Sequence, residues 1–299
     1  MPVKTVGVVG TGLIGASWAA YFLGQGLNVA ATDPAPGAED RLRATVARCG
    51  GDAARLSFSP DLAAALERAD FVQESGPERL DQKIELYRRM DEAVAPGVIL
   101  ASSSSTLLVS DMQQACAHPG RVVLGHPFNP PHLIPLVEVV GGRQTNEASI
   151  TAAIAFYRSI GKHPIRLNRE ILGHVSNRLQ AALWRECFHL LTSGVASAAD
   201  IDAAIAHGPG LRWALLGPFL NLHLSGGEGG IEHNLAHLGP AIAAMWRDLG
   251  APEMDAPTMR TVEGAIREMI GPMDLPSMLV ERDRMLVELV QEKAAAGLP

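Results

Sequence analysis

The first 33 residues contain the feature that most restricts how this chain can fold. The apolar run Val6–Val9 predicts a buried strand, and the segment Gly10–Gly15 that follows it reads Gly-Thr-Gly-Leu-Ile-Gly. A largely apolar stretch at residues 16–23 predicts a helix, and residues 28–32 predict a second strand that ends at Asp33. A strand, a glycine turn, a helix, a strand and an acid in this order are typical of a dinucleotide-binding unit.

Each part of this unit has a physical reason to bind a dinucleotide. The glycines permit a tight turn and let the pyrophosphate approach the backbone, and the helix presents its positive N-terminal end to the phosphates. Asp33 follows Gly10 by 23 residues. At that spacing a carboxylate can accept hydrogen bonds from ribose hydroxyls, and it would repel a 2′-phosphate. We therefore predict an NAD site, rather than an NADP site, formed by Gly10, Gly12, Leu13, Ile14, Gly15 and Asp33.

The alternation of predicted strands and helices continues to about residue 168. Short apolar runs predict further strands at residues 56–58, 71–73, 98–101, 122–125, 136–140 and 164–167. This rhythm predicts a Rossmann-like α/β domain over residues 1–168, with a mostly parallel, doubly wound sheet. Residues 169–299 carry little strand signal, so we predict a second, all-α domain there, beginning with a long helix near residues 175–191.

Composition narrows the class of protein. The chain has 299 residues, of which 47% are hydrophobic, and this is enough for two globular domains. A formal net charge of −7 provides no basic face for nucleic acid or for a membrane surface. The three cysteines are scattered and odd in number, which favours a reducing cytoplasm over a disulfide framework. No apolar run reaches the length of a membrane span.

The segment at residues 122–140 predicts a catalytic group. An apolar strand leads into a turn, His-Pro-Phe-Asn-Pro-Pro, that begins at His126, and a second apolar strand then carries Glu138 between two valines. A buried carboxylate needs a polar partner because an unpaired buried charge is very costly. The nearest candidates in the sequence are His126 and His132. A histidine paired with a carboxylate commonly acts as a general base.

Several polar segments follow predicted strands directly. Ligands of doubly wound sheets collect at the carboxyl ends of the strands. Gly10, Glu74, the serine run Ser102–Ser105 and His126 all fall at such ends. We therefore expect these residues to form one site.

Taken together, these motifs resemble the 3-hydroxyacyl-CoA dehydrogenase superfamily over essentially the whole chain. The segments that carry the resemblance are Gly10–Gly15, Ala101–Leu107, His126–Pro130, Glu138 and Ser176–Leu179. In that family the histidine of the turn is the catalytic base and a glutamate twelve residues later orients it, which corresponds to His126 and Glu138 here. The resemblance implies a homodimer formed through the helical domain.

The resemblance also implies the chemistry and the substrate contacts. The hydroxyl at carbon 3 of the substrate would lose its proton to His126 as hydride passes to the nicotinamide. Ser105 and Asn177 would touch the substrate and hold its oxygen, and Asn129 of the turn would also lie on the substrate. Glu78, in a family-like Gln-Glu-Ser-Gly-Pro-Glu loop, would lie beside the cofactor. We also predict cofactor contacts for Ser103 and for Lys83, one turn after that loop, with a solvated lysine as the alternative for Lys83.

Within the family, the chain differs from the acyl-CoA enzymes. Its serine strand lacks their asparagine, and the segment between Asp33 and Leu56 is short and poor in lysine, so the expected cationic partner of a CoA phosphate is missing. The serine strand, the histidine turn and the segment around Arg212 are more similar to the L-gulonate 3-dehydrogenase (lambda-crystallin) and L-carnitine dehydrogenase branch. The glycine-rich segment at residues 225–230 resembles the carnitine enzymes in particular.

This branch implies a small free L-3-hydroxy acid, carnitine-like or gulonate-like, as the substrate. Arg212 could pair with its carboxylate through two parallel hydrogen bonds, with Trp213 beside it. Candidates for binding a quaternary ammonium are Trp184, Glu186 and Trp213.

Two alternative functions remain open at this stage. One is a 3-hydroxyacyl-CoA dehydrogenase acting on a short-chain CoA thioester, and the other is a non-catalytic structural protein that binds the cofactor. We predict no metal site, since His233 and His237 have the spacing of a ligand pair but no third ligand is evident.

Overall fold

The computed structural model describes residues 3–299, which form two compact units. The first unit ends at Arg178 and combines a sheet with helices, and the second runs from Leu179 to Pro299 and is helical. The predicted fold class is therefore confirmed. The division between the units falls later than the predicted boundary at residue 168, inside a helix that begins at Ser176.

The first unit contains eight strands and six helices, and the seventh helix begins within it. The strands are β1 (Thr5–Val9), β2 (Asn28–Thr32), β3 (Leu56–Phe58), β4 (Phe71–Glu74), β5 (Ile99–Ser102), β6 (Val122–Pro127), β7 (Leu136–Gly141) and β8 (His163–Arg166). The helices are α1 (Leu13–Gly24), α2 (Ala38–Arg48), α3 (Leu62–Leu66), α4 (Leu80–Ala93), α5 (Val109–Met112), α6 (Glu147–Ser159) and α7 (Ser176–Thr192).

The strands form one sheet in the order β3-β2-β1-β4-β5-β6-β7-β8. Strands β1 to β6 pair in parallel, β7 runs antiparallel to β6, and β8 is parallel to β7. The order of the strands along the chain reverses between β1 and β4. In sheets of this kind the crevice at such a reversal, beyond the carboxyl ends of the strands, is where ligands bind.

The central strands are buried on both faces, which explains why they read as continuous apolar runs. On one face, Trp18 and Phe22 of α1 stack with their ring centroids 5.0 Å apart, and Phe156 of α6 packs 4.2 Å from Phe71. On the other face, Tyr87 of α4 is among the fully buried side chains. The sheet is therefore held rigidly between two helical layers, and the loops at its carboxyl end start from fixed positions.

Two polar anchors fix the turn that joins β6 to β7. The Lys162 ammonium is buried, donates hydrogen bonds to the carbonyl oxygens of Pro131 and Ile134, and lies 3.7 Å from the centroid of the Tyr21 ring. The Ser17 hydroxyl accepts a hydrogen bond from the backbone N–H of His132 and lies 2.8 Å from the Nδ1 atom of the same residue. His132 is thus tied to helix α1.

The second unit consists of the rest of α7 and six further helices. These are α8 (Ala198–Ala206), α9 (Pro209–Leu215), α10 (Pro218–Leu224), α11 (Gly230–Asp248), α12 (Ala256–Ile270) and α13 (Leu275–Ala295). Side chains at the helix starts accept backbone hydrogen bonds, as Ser197 does for α8 and Asp255 for α12. No large apolar side chain of residues 179–299 is fully buried, and several are mostly exposed, for example Phe219 and Trp246.

Across residues 3–299, we find no helix with both the length and the apolar character needed to cross a bilayer.

Candidate active site

The glycine turn between β1 and α1 fits a pyrophosphate. Gly10 has a φ of 85°, and a Cβ atom there would lie 2.7 Å from the Ser75 carbonyl oxygen. A Cβ atom on Gly15 would overlap the carbonyl oxygen of Gly10. Helix α1 begins at Leu13 and has no side-chain cap, so the amides of its first turn are left for a ligand.

Replacing Gly15 by Ala should therefore prevent NAD binding without unfolding the sheet. The methyl group would push the Gly10 carbonyl out of the turn, and the amides would no longer converge on a phosphate. We expect the Kd for NAD, measured by calorimetry, to rise by at least about 100-fold, or about 2.7 kcal/mol. Gly24→Ala is the matched control, because a Cβ atom at Gly24 in the same helix meets no atom within 4 Å. Equal affinities in the two variants would contradict this assignment.

Asp33 lies at the end of β2 and faces the same turn. Its Oδ2 atom accepts hydrogen bonds from the backbone N–H of Thr11 at 2.7 Å and from the Thr11 hydroxyl at 3.2 Å, and its Oδ1 atom accepts one from the N–H of Ala35 at 2.9 Å. With Gly10 and Gly12 it lines a cleft of about 790 Å³. The carboxylate is therefore oriented by the backbone while it borders a cavity of the size used for small ligands.

Glu78 lies beside the serine loop after β5. Its Oε1 atom accepts hydrogen bonds from the Ser104 hydroxyl at 2.6 Å and from the N–H and the hydroxyl of Thr106, both at 2.8 Å. Burial alone would raise the pKa of Glu78, but these hydrogen bonds outweigh it, and the pKa lies below its usual value. Glu78 is thus an anion that holds the loop. Its predicted contact with the cofactor stays a prediction.

Lys83 forms a buried ion pair beneath the loop that follows β4. The side chain is 1% exposed, and its ammonium lies 2.6 Å from Oε1 of Glu74 and 3.2 Å from the carbonyl oxygen of Gly76. The buried hydroxyl of Ser102 donates a hydrogen bond of 3.0 Å to the same Glu74 carboxylate. The ammonium of Lys83 thus belongs to a buried ion pair beneath the loop at Ser75 and Gly76, so Lys83 is not a solvated lysine, and its predicted contact with the cofactor stays a prediction.

The hydroxyl of Ser103 is also engaged within the protein. It accepts a hydrogen bond from Nε2 of Gln73 at 2.8 Å and lies 2.9 Å from the Ser75 hydroxyl. Ser103 thus links the carboxyl ends of β4 and β5. A cofactor could contact it only in addition to these partners, so its predicted role stays a prediction.

The antiparallel pairing of β6 and β7 places His126 directly opposite Glu138. Nδ1 of His126 lies 2.9 Å from Oε2 of Glu138, and the side chains are 4% and 0% exposed. The other carboxylate oxygen accepts hydrogen bonds from the N–H groups of Val175 and Ser176 at 2.9 and 3.0 Å. Burial alone would raise the pKa of Glu138, but the hydrogen bonds from His126 and the two amides lower it below its usual value.

This geometry fixes the tautomer of His126. An ionised carboxylate can only accept, so Nδ1 of His126 carries the hydrogen and Nε2 carries the lone pair. The Ser105 hydroxyl lies 3.1 Å from that Nε2 atom and can donate to it. Glu138, His126 and Ser105 therefore form a chain in which the free lone pair meets a hydroxyl. The same lone pair could accept the proton of a substrate alcohol.

The other predicted substrate contacts differ in their surroundings. Asn177 is half-buried in the first turn of α7, next to Ser176, whose amide binds Glu138. Asn129 is exposed two residues beyond β6. Arg212 and Trp213 belong to α9 of the second unit, and the Arg212 guanidinium has no hydrogen-bond or ion-pair partner among residues 3–299.

Sequence reasoning overlooked one residue beside His126. The His174 ring is 1% exposed, and its centroid lies 5.0 Å from that of His126. A lone histidine in the loop before α7 gives no periodic signal, so nothing in the sequence singled it out. Over residues 3–299, no cluster of three histidine, cysteine, aspartate or glutamate side chains is arranged to hold a metal ion.

Comparison with known proteins gives matches along most of the chain. Residues 5–171 match the model of the 3-hydroxyacyl-CoA dehydrogenase NAD-binding domain, and residues 173–255 match that of the 3-hydroxyacyl-CoA dehydrogenase C-terminal domain. The chain is 45% identical to L-carnitine dehydrogenase from Streptomyces coelicolor, over 99% of this chain and 96% of that protein.

Two solved structures are similar to this chain over most of its length. The structure of 5-formyl-3-hydroxy-2-methylpyridine 4-carboxylic acid 5-dehydrogenase, an NAD+-dependent dismutase, aligns with a TM-score of 0.86 at 27% identity and covers 98% of this chain and 99% of that one. The (S)-3-hydroxybutyryl-CoA dehydrogenase of Ralstonia eutropha aligns with a TM-score of 0.64 at 27% identity, over 81% of this chain and 87% of that one.

Proposed function

The chain belongs to the 3-hydroxyacyl-CoA dehydrogenase family and is an NAD-dependent dehydrogenase, and we propose that it oxidises the 3-hydroxyl of a small free L-3-hydroxy acid of the carnitine type to the 3-oxo acid. The observation that carries the proposed mechanism is the chain of hydrogen bonds from Glu138 through His126 to Ser105. NAD, when bound, accepts the hydride from carbon 3.

Side chains of this protein would accept the proton that the 3-hydroxyl of the substrate releases. Nε2 of His126 takes the proton of the 3-hydroxyl, and the imidazolium that forms donates through Nδ1 to Glu138. Glu138 is already ionised and held by two backbone amides, so it stabilises the new charge without moving. Ser105 and Asn177 hold the substrate oxygen in line with the Nε2 lone pair.

Four observations favour a free acid over a CoA thioester. The relative at 45% identity is named for carnitine, which is a free 3-hydroxy acid, and the solved structure with the higher TM-score acts on a carboxylic acid by its title. The segment between β2 and β3 contains no lysine, and its four arginines already bind groups of the same unit, two of them in salt bridges with Glu39 and Asp52. Arg212 offers an unpaired guanidinium for a carboxylate.

The deciding experiment compares L-carnitine, L-gulonate, (S)-3-hydroxybutyrate and (S)-3-hydroxybutyryl-CoA with NAD, with formation of reduced cofactor as the readout. We expect the highest kcat/KM with a free acid, L-carnitine first. A higher kcat/KM for the thioester would overturn the substrate assignment. Tight NAD binding with no turnover of any of the four would favour the non-catalytic structural alternative.

Arg212→Met should weaken binding of the carboxylate and leave the chemistry nearly intact. A hydrogen bond to a charged group contributes about 1.5–3 kcal/mol, so we expect the KM for the acid to rise about 10–100-fold with kcat within a few-fold. Arg212→Lys should recover part of the loss, because an ammonium keeps the charge but not the planar pair of donors. An unchanged KM in the Met variant would remove Arg212 from the substrate site.

We also propose that the protein is a cytoplasmic homodimer formed through the helical unit. Residues 179–299 leave every large apolar side chain at least partly exposed, which is typical of a surface that associates. The three cysteines are free, which suits a reducing compartment. Light scattering should give twice the chain mass of 31.7 kDa, and a monomer at micromolar concentration would contradict the proposal.

A further inference from the structure

His174 lies where three parts of the candidate site meet. It is in the loop between β8 and α7, and its ring is packed 5.0 Å from that of His126 at an interplanar angle of 50°. Its Nε2 atom lies 3.0 Å from the carbonyl oxygen of Ser104, the residue before Ser105. The two residues after it, Val175 and Ser176, donate their N–H groups to Glu138.

The hydrogen bond to Ser104 defines the state of the His174 ring. A carbonyl oxygen only accepts, so Nε2 of His174 carries the hydrogen and donates it. Burial lowers the pKa of His174 below its usual value, so the ring is neutral at neutral pH and its Nδ1 atom is unprotonated. That Nδ1 atom is buried and has no hydrogen-bond partner among residues 3–299. The ring of His174 therefore makes its one hydrogen bond within residues 3–299 through Nε2.

The backbone at this position is strained as well. His174 has a φ of 53°, in the left-handed region that non-glycine residues rarely adopt, and it follows Gly173 with a φ of 73°. The two left-handed residues turn the chain immediately before its next two N–H groups meet Glu138. Backbone strain of this kind persists only where surrounding contacts impose it.

From this placement, and on the basis of the proposed function, we infer that His174 is a positioning residue. Its Nε2–H holds the Ser104 carbonyl, and with it Ser105, at hydrogen-bonding distance from His126, while its backbone presents the Val175 and Ser176 amides to Glu138. His174 therefore links the loop at Ser104 and Ser105 to the backbone amides that bind Glu138. It does not itself touch the reacting atoms.

An apolar side chain at position 174 could provide the same packing against His126. The inference therefore depends on the hydrogen bond that Nε2–H of His174 donates to the Ser104 carbonyl oxygen. His174→Gln keeps an amide N–H near the position of Nε2, and His174→Met has nearly the same shape without a donor. His174→Phe keeps a ring of similar size, also without a donor. These three variants separate hydrogen bonding from packing.

We expect the Met and Phe variants to lose about 10–100-fold in kcat, because a displacement of about 1 Å at a reacting group can cost about 100-fold. The KM and Kd for NAD should stay within two-fold of wild type in both, and His174→Gln should retain at least ten times the kcat of His174→Met. Wild-type kcat in the Phe variant, or equal kcat in the Gln and Met variants, would overturn the inference.

A second readout needs no turnover and therefore separates this inference from the proposed function. Nitrogen-15 NMR of the histidine rings reports which nitrogen carries the hydrogen. We expect the Nδ1–H form of His126 in all four proteins, because Glu138 sets it, and a change in the Nε2 signal in His174→Met and His174→Phe, where the Ser105 hydroxyl is no longer held beside that atom. Unchanged His126 signals in the Met and Phe variants would contradict the positioning role. Absence of turnover in wild type with every 3-hydroxy acid would instead count against the proposed function alone.

Discussion

His126→Gln should lower kcat by about 10²–10⁴-fold, the usual contribution of a positioned general base. Glutamine has a similar length but no atom that can take up a proton at neutral pH. The substrate alcohol would then have to release its proton to water, although NAD could still bind at the glycine turn. We expect the Kd for NAD, measured by fluorescence titration, to stay within a few-fold of wild type.

The pH dependence provides an independent check on the same variant. A base works only while it is unprotonated, so wild-type kcat/KM should fall as the pH is lowered, and the residual activity of His126→Gln should lose that dependence. His163→Gln is a suitable control, because His163 is an exposed histidine of the same sheet, in strand β8. If His126→Gln kept a kcat within ten-fold of wild type, the base would have to be another group.

The second large effect is expected for Glu138→Gln. The amide oxygen can still accept from Val175 and Ser176, but its NH₂ group then faces Nδ1 of His126. Nδ1 would have to accept, which moves the hydrogen of the ring to Nε2 and removes the lone pair that should take the substrate proton. The corresponding change of tautomer in serine proteases costs about 10⁴-fold in kcat, and we expect a loss of about 10³–10⁴-fold here.

The same variant should also lose stability in a pH-dependent way. The pKa of Glu138 is lower in the folded protein than its usual value, so the carboxylate stabilises the fold above the unfolded pKa of about 4.3, and this contribution is lost as the pH falls through the folded pKa. Denaturant titrations at neutral pH should show Glu138→Gln to be less stable by about 1–3 kcal/mol, and the difference should shrink below about pH 4.

Glu147→Gln is the matched control for this measurement. Glu147 is also a glutamate with a hydrogen-bonded partner, Arg166, but both side chains of that pair are exposed. An exposed ion pair contributes about 0–1 kcal/mol, so the control should change the free energy of unfolding by less than Glu138→Gln does. Equal losses in the two variants would mean that the buried amide contacts add nothing specific.

Much of the first unit could be predicted because its elements depend on local sequence. The strand predicted at residues 56–58 matches β3, and the helix predicted near residues 175–191 matches α7 to within one residue. The glycine turn was predictable for the same reason, since left-handed backbone at Gly10 and close approach at Gly15 restrict those positions to glycine. The family followed from these motifs together.

The contacts between distant segments were less predictable. Lys83 is one helical turn beyond the loop of Glu78, and only the folded chain shows that its ammonium turns inward to Glu74. His126 and His132 are equally plausible partners of Glu138 in the sequence. In the structure the carboxylate of Glu138 contacts the ring of His126, whereas the ring of His132 contacts the hydroxyl of Ser17 in α1.

The sequence by itself therefore determined the α/β unit, the NAD fingerprint and the candidate site residues, because backbone conformation and hydrophobic periodicity act over a few neighbouring residues. Only the tertiary structure decided how these residues combine. The reversal of β7 against β6 puts Glu138 across from His126, and the strained loop before α7 brings His174 to the same place. Such pairings depend on strand direction and register, which are fixed by packing over the whole sheet and leave no local trace in the chain.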